Sequence, residues 1–77
     1  MKLFVSRHAI ERMELRQITL EQIEETLSSP DIIRPGHVGS TVVQKVLASG
    51  EELKVVVRGR YLVGAKAIII TVPWRGR

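Results

Sequence analysis

Two helices laid over one face of an antiparallel sheet of three or four strands, an α+β fold, is the class this chain predicts. Three observations lead there. Before Pro30 the apolar residues recur at helical spacing behind good capping residues, whereas after Pro30 the chain turns β-branched and alternating. The break between the two grammars is sharp, because a proline biases the residue before it, here Ser29, away from helical geometry. The 77 residues contain no linker, repeat or low-complexity tract, so they form a single domain, 1–77.

The elements follow in order. Met1 to Val5 is a short apolar lead-in that reads as an edge strand. Ser6 is a good N-cap for a helix over residues 7–16, since its hydroxyl can accept from an orphan backbone N–H. Thr19 with Gln22 three residues on makes a capping box, and Ile18 with Ile23 a hydrophobic staple, for a second helix over residues 20–28. The connection between them is short, which predicts a compact helical hairpin. Ile32 and Ile33 open an edge strand that Pro35-Gly36 interrupts, and residues 36–40 form a loop. Strands are expected over 41–48, 52–58 and 67–73; Ser49-Gly50 turns between the first two, and Pro73 ends the last or places it at an edge. Leu53, Val55 and Val57 alternate with Lys54, Val56 and Arg58, so the former face the helices. The expected core is Ile10, Met13, Ile23, Leu27, Val55, Val57, Ile68 and Ile70.

Composition narrows the function. A chain of this size buries only about 60–65% of its unfolded surface, so the core is thin and must be built from Val, Ile and Leu; Phe4, Tyr61 and Trp74 are its only rings. No apolar run approaches the roughly 20 residues of a membrane span, the start lacks the features of a signal peptide, and the absence of cysteine excludes disulfide and thiolate chemistry. A cytoplasmic protein is expected, without membrane association. The net charge of +4 favours anionic partners, nucleic acid among them. His8 and His37 are the only histidines and no clustered ligand pattern accompanies them, so neither a metal site nor a cofactor is expected. Gly36-His37-Val38-Gly39-Ser40 lacks the Lys-Ser/Thr of a phosphate-binding loop, and His37 is expected in solvent.

Two groups of residues carry the candidate chemistry. His8, Arg12 and Arg16 recur every fourth residue, which brings a titratable ring and two permanent cations to one side of a helix. Spacing alone describes this first as a solvated basic edge, with Glu11 and Glu14 as local counter-charges worth about 0.2–0.5 kcal/mol each. The second group is a sheet surface of Lys54, Arg58 and Thr71. Lys45 is expected to join it, since the other face of its strand would carry Val42, Val46 and Ala48, a set fit for the core. The tail Pro73-Trp74-Arg75-Gly76-Arg77 couples an aromatic with two cations, a pairing able to stack on and clamp single-stranded RNA. Trp74 reads as a cover for the core edge, and Arg75 stays open to the nucleic-acid role.

The order Phe4-Val5-Ser6-Arg7-His8-Ala9, Arg12, Arg16, Ile18-Thr19, Leu27-Ser28-Ser29-Pro30 and a β-rich half closing on Ile70-Thr71-Val72 resembles a family of small prokaryotic proteins, a domain of unknown function similar to the RelE/ParE and BrnT toxins. The resemblance is specific over the first thirty residues and generic in the β half. It implies a RelE-like domain and a toxin-like RNA-binding protein of a toxin–antitoxin system, acting as a metal-independent endoribonuclease or as a non-catalytic nucleic-acid or protein-binding module of the same fold. In the nuclease, the RNA's own 2′-hydroxyl attacks phosphorus, so the protein supplies positioning, proton transfer and positive charge. His8 would then be the acid or base, and Arg12 or Arg16 the fork that holds the phosphate. The partners implied are RNA or another polyanion, an acidic antitoxin protein and a second copy in a homodimer.

Overall fold

The computed structural model describes residues 2–64 and 66–76. The elements run β1 (Leu3–Val5), α1 (Arg7–Arg16), α2 (Leu20–Ser28), β2 (Ile32–Pro35), β3 (Ser40–Val46), β4 (Glu52–Arg58) and β5 (Ala67–Gly76). The class is α+β, with five strands in the spatial order β1-β5-β4-β3-β2. The sheet is mixed rather than wholly antiparallel: β1 joins it parallel to β5, Leu3 beside Ala67 and Val5 beside Ile69, while the other neighbours are antiparallel. A parallel partner needs a crossover, and the two helices between β1 and β2 carry the chain away from that edge.

Capping explains the helix bounds. Ser6 Oγ accepts from Ala9 N–H at 3.1 Å and donates to Ile70 O at 2.8 Å, so one hydroxyl starts α1 and ties it to β5. The Thr19/Gln22 box is complete, with Gln22 N–H donating to Thr19 Oγ1 at 3.1 Å and Thr19 N–H to Gln22 Oε1 at 3.0 Å. Between the helices Gln17 takes the left-handed conformation, φ 54°, and Ile18 N–H reaches back to Met13 O at 2.8 Å. That six-to-one bond closes the helix as a Schellman motif does, and it drives Ile18 into the core.

Each helix packs on strands of its own. α1 lies on β5, α2 on β3 and β4, and each makes its principal contacts with the sheet. The buried surface is Ala9, Ile18, Ile23, Leu27, Val43, Leu47, Leu53, Val55, Val57, Tyr61, Ala67, Ile69 and Val72, with Met13 packed against it. Three expected core residues lie elsewhere: Ile10 is 46% exposed, Ile68 38% exposed and Ile70 half-buried on the uncovered face. The inward residues of β5 are instead Ala67, Ile69 and Val72. The uninterrupted run Ala67-Ile68-Ile69-Ile70 carries no alternation from which to read a face. In addition, the pairing with β4 slips between Lys54 and Val57, so that Ile69 and Val72, three apart, both turn inward.

Tyr61 ties the segment after β4 to the helices. It is buried, and its hydroxyl donates to Leu27 O at 2.6 Å, satisfying a carbonyl in the last turn of α2. Burial pushes the phenol above its ordinary value, with a smaller lowering from the backbone hydrogen bond to Gly64. The folded protein therefore holds this proton more tightly than the unfolded chain. The associated stability is complete below about pH 10 and disappears as pH rises through the folded-state value. The denaturation midpoint should accordingly fall above about pH 10. Tyr61→Phe should flatten that fall and, by leaving Leu27 O without its donor, cost about 1–3 kcal/mol at neutral pH. An equally steep alkaline decline in Tyr61→Phe would contradict the assignment.

Candidate nucleic-acid interface

Both helices cover the same side of the sheet, and the other side is open. Register assigns its residues. Gln44 lies beside Lys54, Val42 beside Val56 and Ser40 beside Arg58; Trp74 lies beside Lys54 and Thr71 beside Val56. On β2, Ile32 and Arg34 pair with Gln44 and Val42. On β1, Phe4 pairs with Ile68. Directly opposed residues project to one side of a sheet, so Phe4, Arg34, Lys54, Arg58, Thr71 and Trp74 share a surface.

A polar row crosses that surface. Arg34 Nε donates to Gln44 Oε1 at 2.8 Å, Gln44 Nε2 donates to Glu52 Oε1 at 3.1 Å, and Lys54 Nζ stands 3.9 Å from the same carboxylate oxygen. Lys54 also lies over the Trp74 ring, 5.9 Å from its centroid, and Lys2 over Phe4 at 6.0 Å. Trp74 thus belongs to the open face, 45% exposed, rather than to the edge of the core. The side chains of Arg58 and Thr71 have no hydrogen-bond or ion-pair partner among the described residues.

Two expected members of this surface are engaged elsewhere. Lys45 pairs with Leu53 and so stands on the helix side, where its Nζ donates to Ser29 O at 2.7 Å. The expectation failed because Val42 and Val46 occupy the open face instead of the core. Val42 is kept from solvent there by the loop between β2 and β3, and Val46 is left 53% exposed. Lys45 is a cation at the C-terminal end of α2, where the helix dipole and unpaired carbonyls favour it. Arg75, opposite Leu53, also points to the helix side. It grips Glu51 with two donors, at 3.0 and 3.2 Å, and donates to the carbonyls of Arg16, at 3.0 Å, and Gln17. The hydrogen bond to Glu51 raises its pKa further above the ordinary value, against the opposing effect of burial. Arg75 is the clamp on the end of α1.

The His8/Arg12/Arg16 stripe lies in the helix layer and does not share a surface with Lys54, Arg58 and Thr71. Each four-residue step advances about 40° beyond a full turn, so the stripe winds from solvent toward the core. His8 is exposed and Arg12 and Arg16 are half-buried. One guanidinium nitrogen of Arg16, Nη1, is buried and has no hydrogen-bond partner among the described residues. Among these residues no group of three or more His, Cys, Asp or Glu could hold a metal ion, and no helix is long and apolar enough to cross a membrane.

Charge divides with the layers. Residues 7–28 carry three arginines and five glutamates, whereas the rest of the chain carries nine Lys or Arg against three acids. The positive excess thus belongs to the sheet half. Sequence reasoning placed Lys54, Arg58 and Thr71 together but missed Arg34, Gln44 and Trp74. The signal for Arg34 and Gln44 was the β2–β3 register, which alternation in so short an edge strand does not supply.

Fold and surface define a small α+β domain with one face of a mixed sheet covered by helices and the other basic and open. The chain belongs to the family described as Domain of unknown function (DUF4258), whose model matches residues 5–74. Neither curated proteins nor solved structures gave a match.

Proposed function

We propose that this protein is an RNA-binding module, related to the RelE/ParE and BrnT toxins, that engages its ligand through the open face of the sheet. The observation that carries the reading is the placement of Arg34, Lys54 and Arg58 on one uncovered face beside Trp74, with Glu52 as its acid, behind a helix layer that is net acidic. A polyanion gains by releasing counterions against such a surface, and an exposed ring adds sequence-tolerant stacking on unpaired bases. In the toxin relationship an acidic antitoxin would compete for the same face.

The test is fluorescence anisotropy of a labelled single-stranded RNA in EDTA across a salt series. With three or four phosphates neutralised, log affinity should fall against log salt with a slope of about −2 to −3. Salt-independent binding, or none at low ionic strength, contradicts the proposal. The same samples report catalysis: 2′,3′-cyclic phosphate ends that disappear in His8→Ala would make the module a metal-independent ribonuclease, whereas intact RNA restricts it to binding.

A further inference from the structure

Lys54, Val56 and Arg58 are successive residues on the open side of β4, each about 7 Å from the next. Above Val56 the face is not flat. The loop between β2 and β3 leans over the sheet and leaves Val42 only 9% exposed although no helix covers it. Gly36 permits the approach, since a Cβ there would stand 2.7 Å from Ser40 Oγ and 3.2 Å from Val42 Cγ2. Between loop and sheet lies a cavity of about 730 Å³, within the range of small-molecule sites. Its floor is apolar, Val42, Val56, Ile70 and Pro73. Polar groups interrupt it at the Thr71 hydroxyl and at the rim, where His37 and Arg34 stand.

We infer that this cavity accepts one unstacked nucleobase of a single-stranded RNA, the flanking phosphates lying toward Lys54 on one side and Arg58 on the other. The inference rests on the RNA-binding reading and adds to it a specific pocket. A flat apolar ring matches the floor in a way that a hydrated phosphate does not. A base edge can also use the hydroxyl of Thr71, which has no other hydrogen-bond partner among the described residues. The cations flank the cavity at strand spacing, so a chain with one base inserted keeps its charges over them. A base held in a helical stack cannot enter, which makes single strands the ligand class.

The experiment compares a short single-stranded oligoribonucleotide with a ribose-phosphate backbone of the same length lacking bases, for wild type, Val56→Trp and Thr71→Val. Val56→Trp narrows the cavity at its floor, and its fold is checked by circular dichroism. Thr71→Val removes only a hydroxyl and keeps the test open should the larger variant misfold. Wild type should bind the base-bearing strand roughly 5- to 150-fold more tightly than the abasic one, the range of one base–protein stacking contact. Both variants should shrink that ratio. Equal wild-type affinity for the two strands, or a ratio that neither variant alters, overturns the pocket while the electrostatic reading stands. Binding of neither strand at low salt overturns both, and leaves the face to a protein partner.

Discussion

Leu27→Ala should lower the unfolding free energy by about 2–5 kcal/mol, the cost of removing a fully buried leucine from a core that only partly relaxes. Leu27 is completely buried on the inner face of α2, against the same core as Ile23, Val43 and Val55. A chain of 77 residues at about 0.05–0.15 kcal/mol per residue has roughly 4–12 kcal/mol in total, so this substitution alone removes a large part of its stability. The thermal midpoint should drop by roughly 4–8 °C for each kcal/mol. Ile10→Ala is the internal control: Ile10 lies on α1 but is nearly half exposed, and its midpoint should move little. Equal losses for the two variants would mean that the helix faces are misassigned.

The largest functional effect is expected from the open face. Replacing both Lys54 and Arg58 with Ala should reduce the salt slope for single-stranded RNA by about 1.4, or about 0.7 per cation. Referred to 1 M salt, the same power law gives a loss on the order of 10²-fold at about 50 mM. Charge reversal at both positions should weaken binding further. Arg7→Glu changes charge in the helix layer at an exposed position, and with the acidic helices already on that side it should have a much smaller effect. Reversals in the two layers that weaken binding alike would assign the affinity to net charge rather than to a face.

How much of this was legible in the sequence depended on how local each signal was. Both helices, their caps and the stop at Pro30 could be read because a cap and its partner lie within a few residues, as Thr19 and Gln22 do. The faces of β4 were equally plain, since Leu53-Lys54-Val55-Val56-Val57-Arg58 alternates charge only on one side. What failed was set by distant partners. The side on which Lys45 lies follows from its pairing with Leu53, and the inward turn of Ile69 from the slip between β4 and β5. The parallel β1–β5 pair joins residues more than sixty apart, beyond any local pattern. On the sheet, Lys54 and Arg58 lie on one face, whereas Lys45 and Arg75 lie on the helix side. The helical triad was legible from its period of four, but the drift of about 40° per step that leaves His8 exposed and Arg16 half-buried shows only in the packed helix.

Chemical-shift mapping of the labelled protein with a single-stranded oligoribonucleotide shows whether RNA meets the open face of the sheet. Shifts should concentrate at the amides of Lys54, Val56, Arg58 and Thr71, at the Trp74 indole N–H and along the loop over residues 36–39. The outward positions of α1 and α2 should stay unmoved. Shifts confined to α1, around His8, Arg12 and Arg16, with the sheet amides unchanged, would contradict the account.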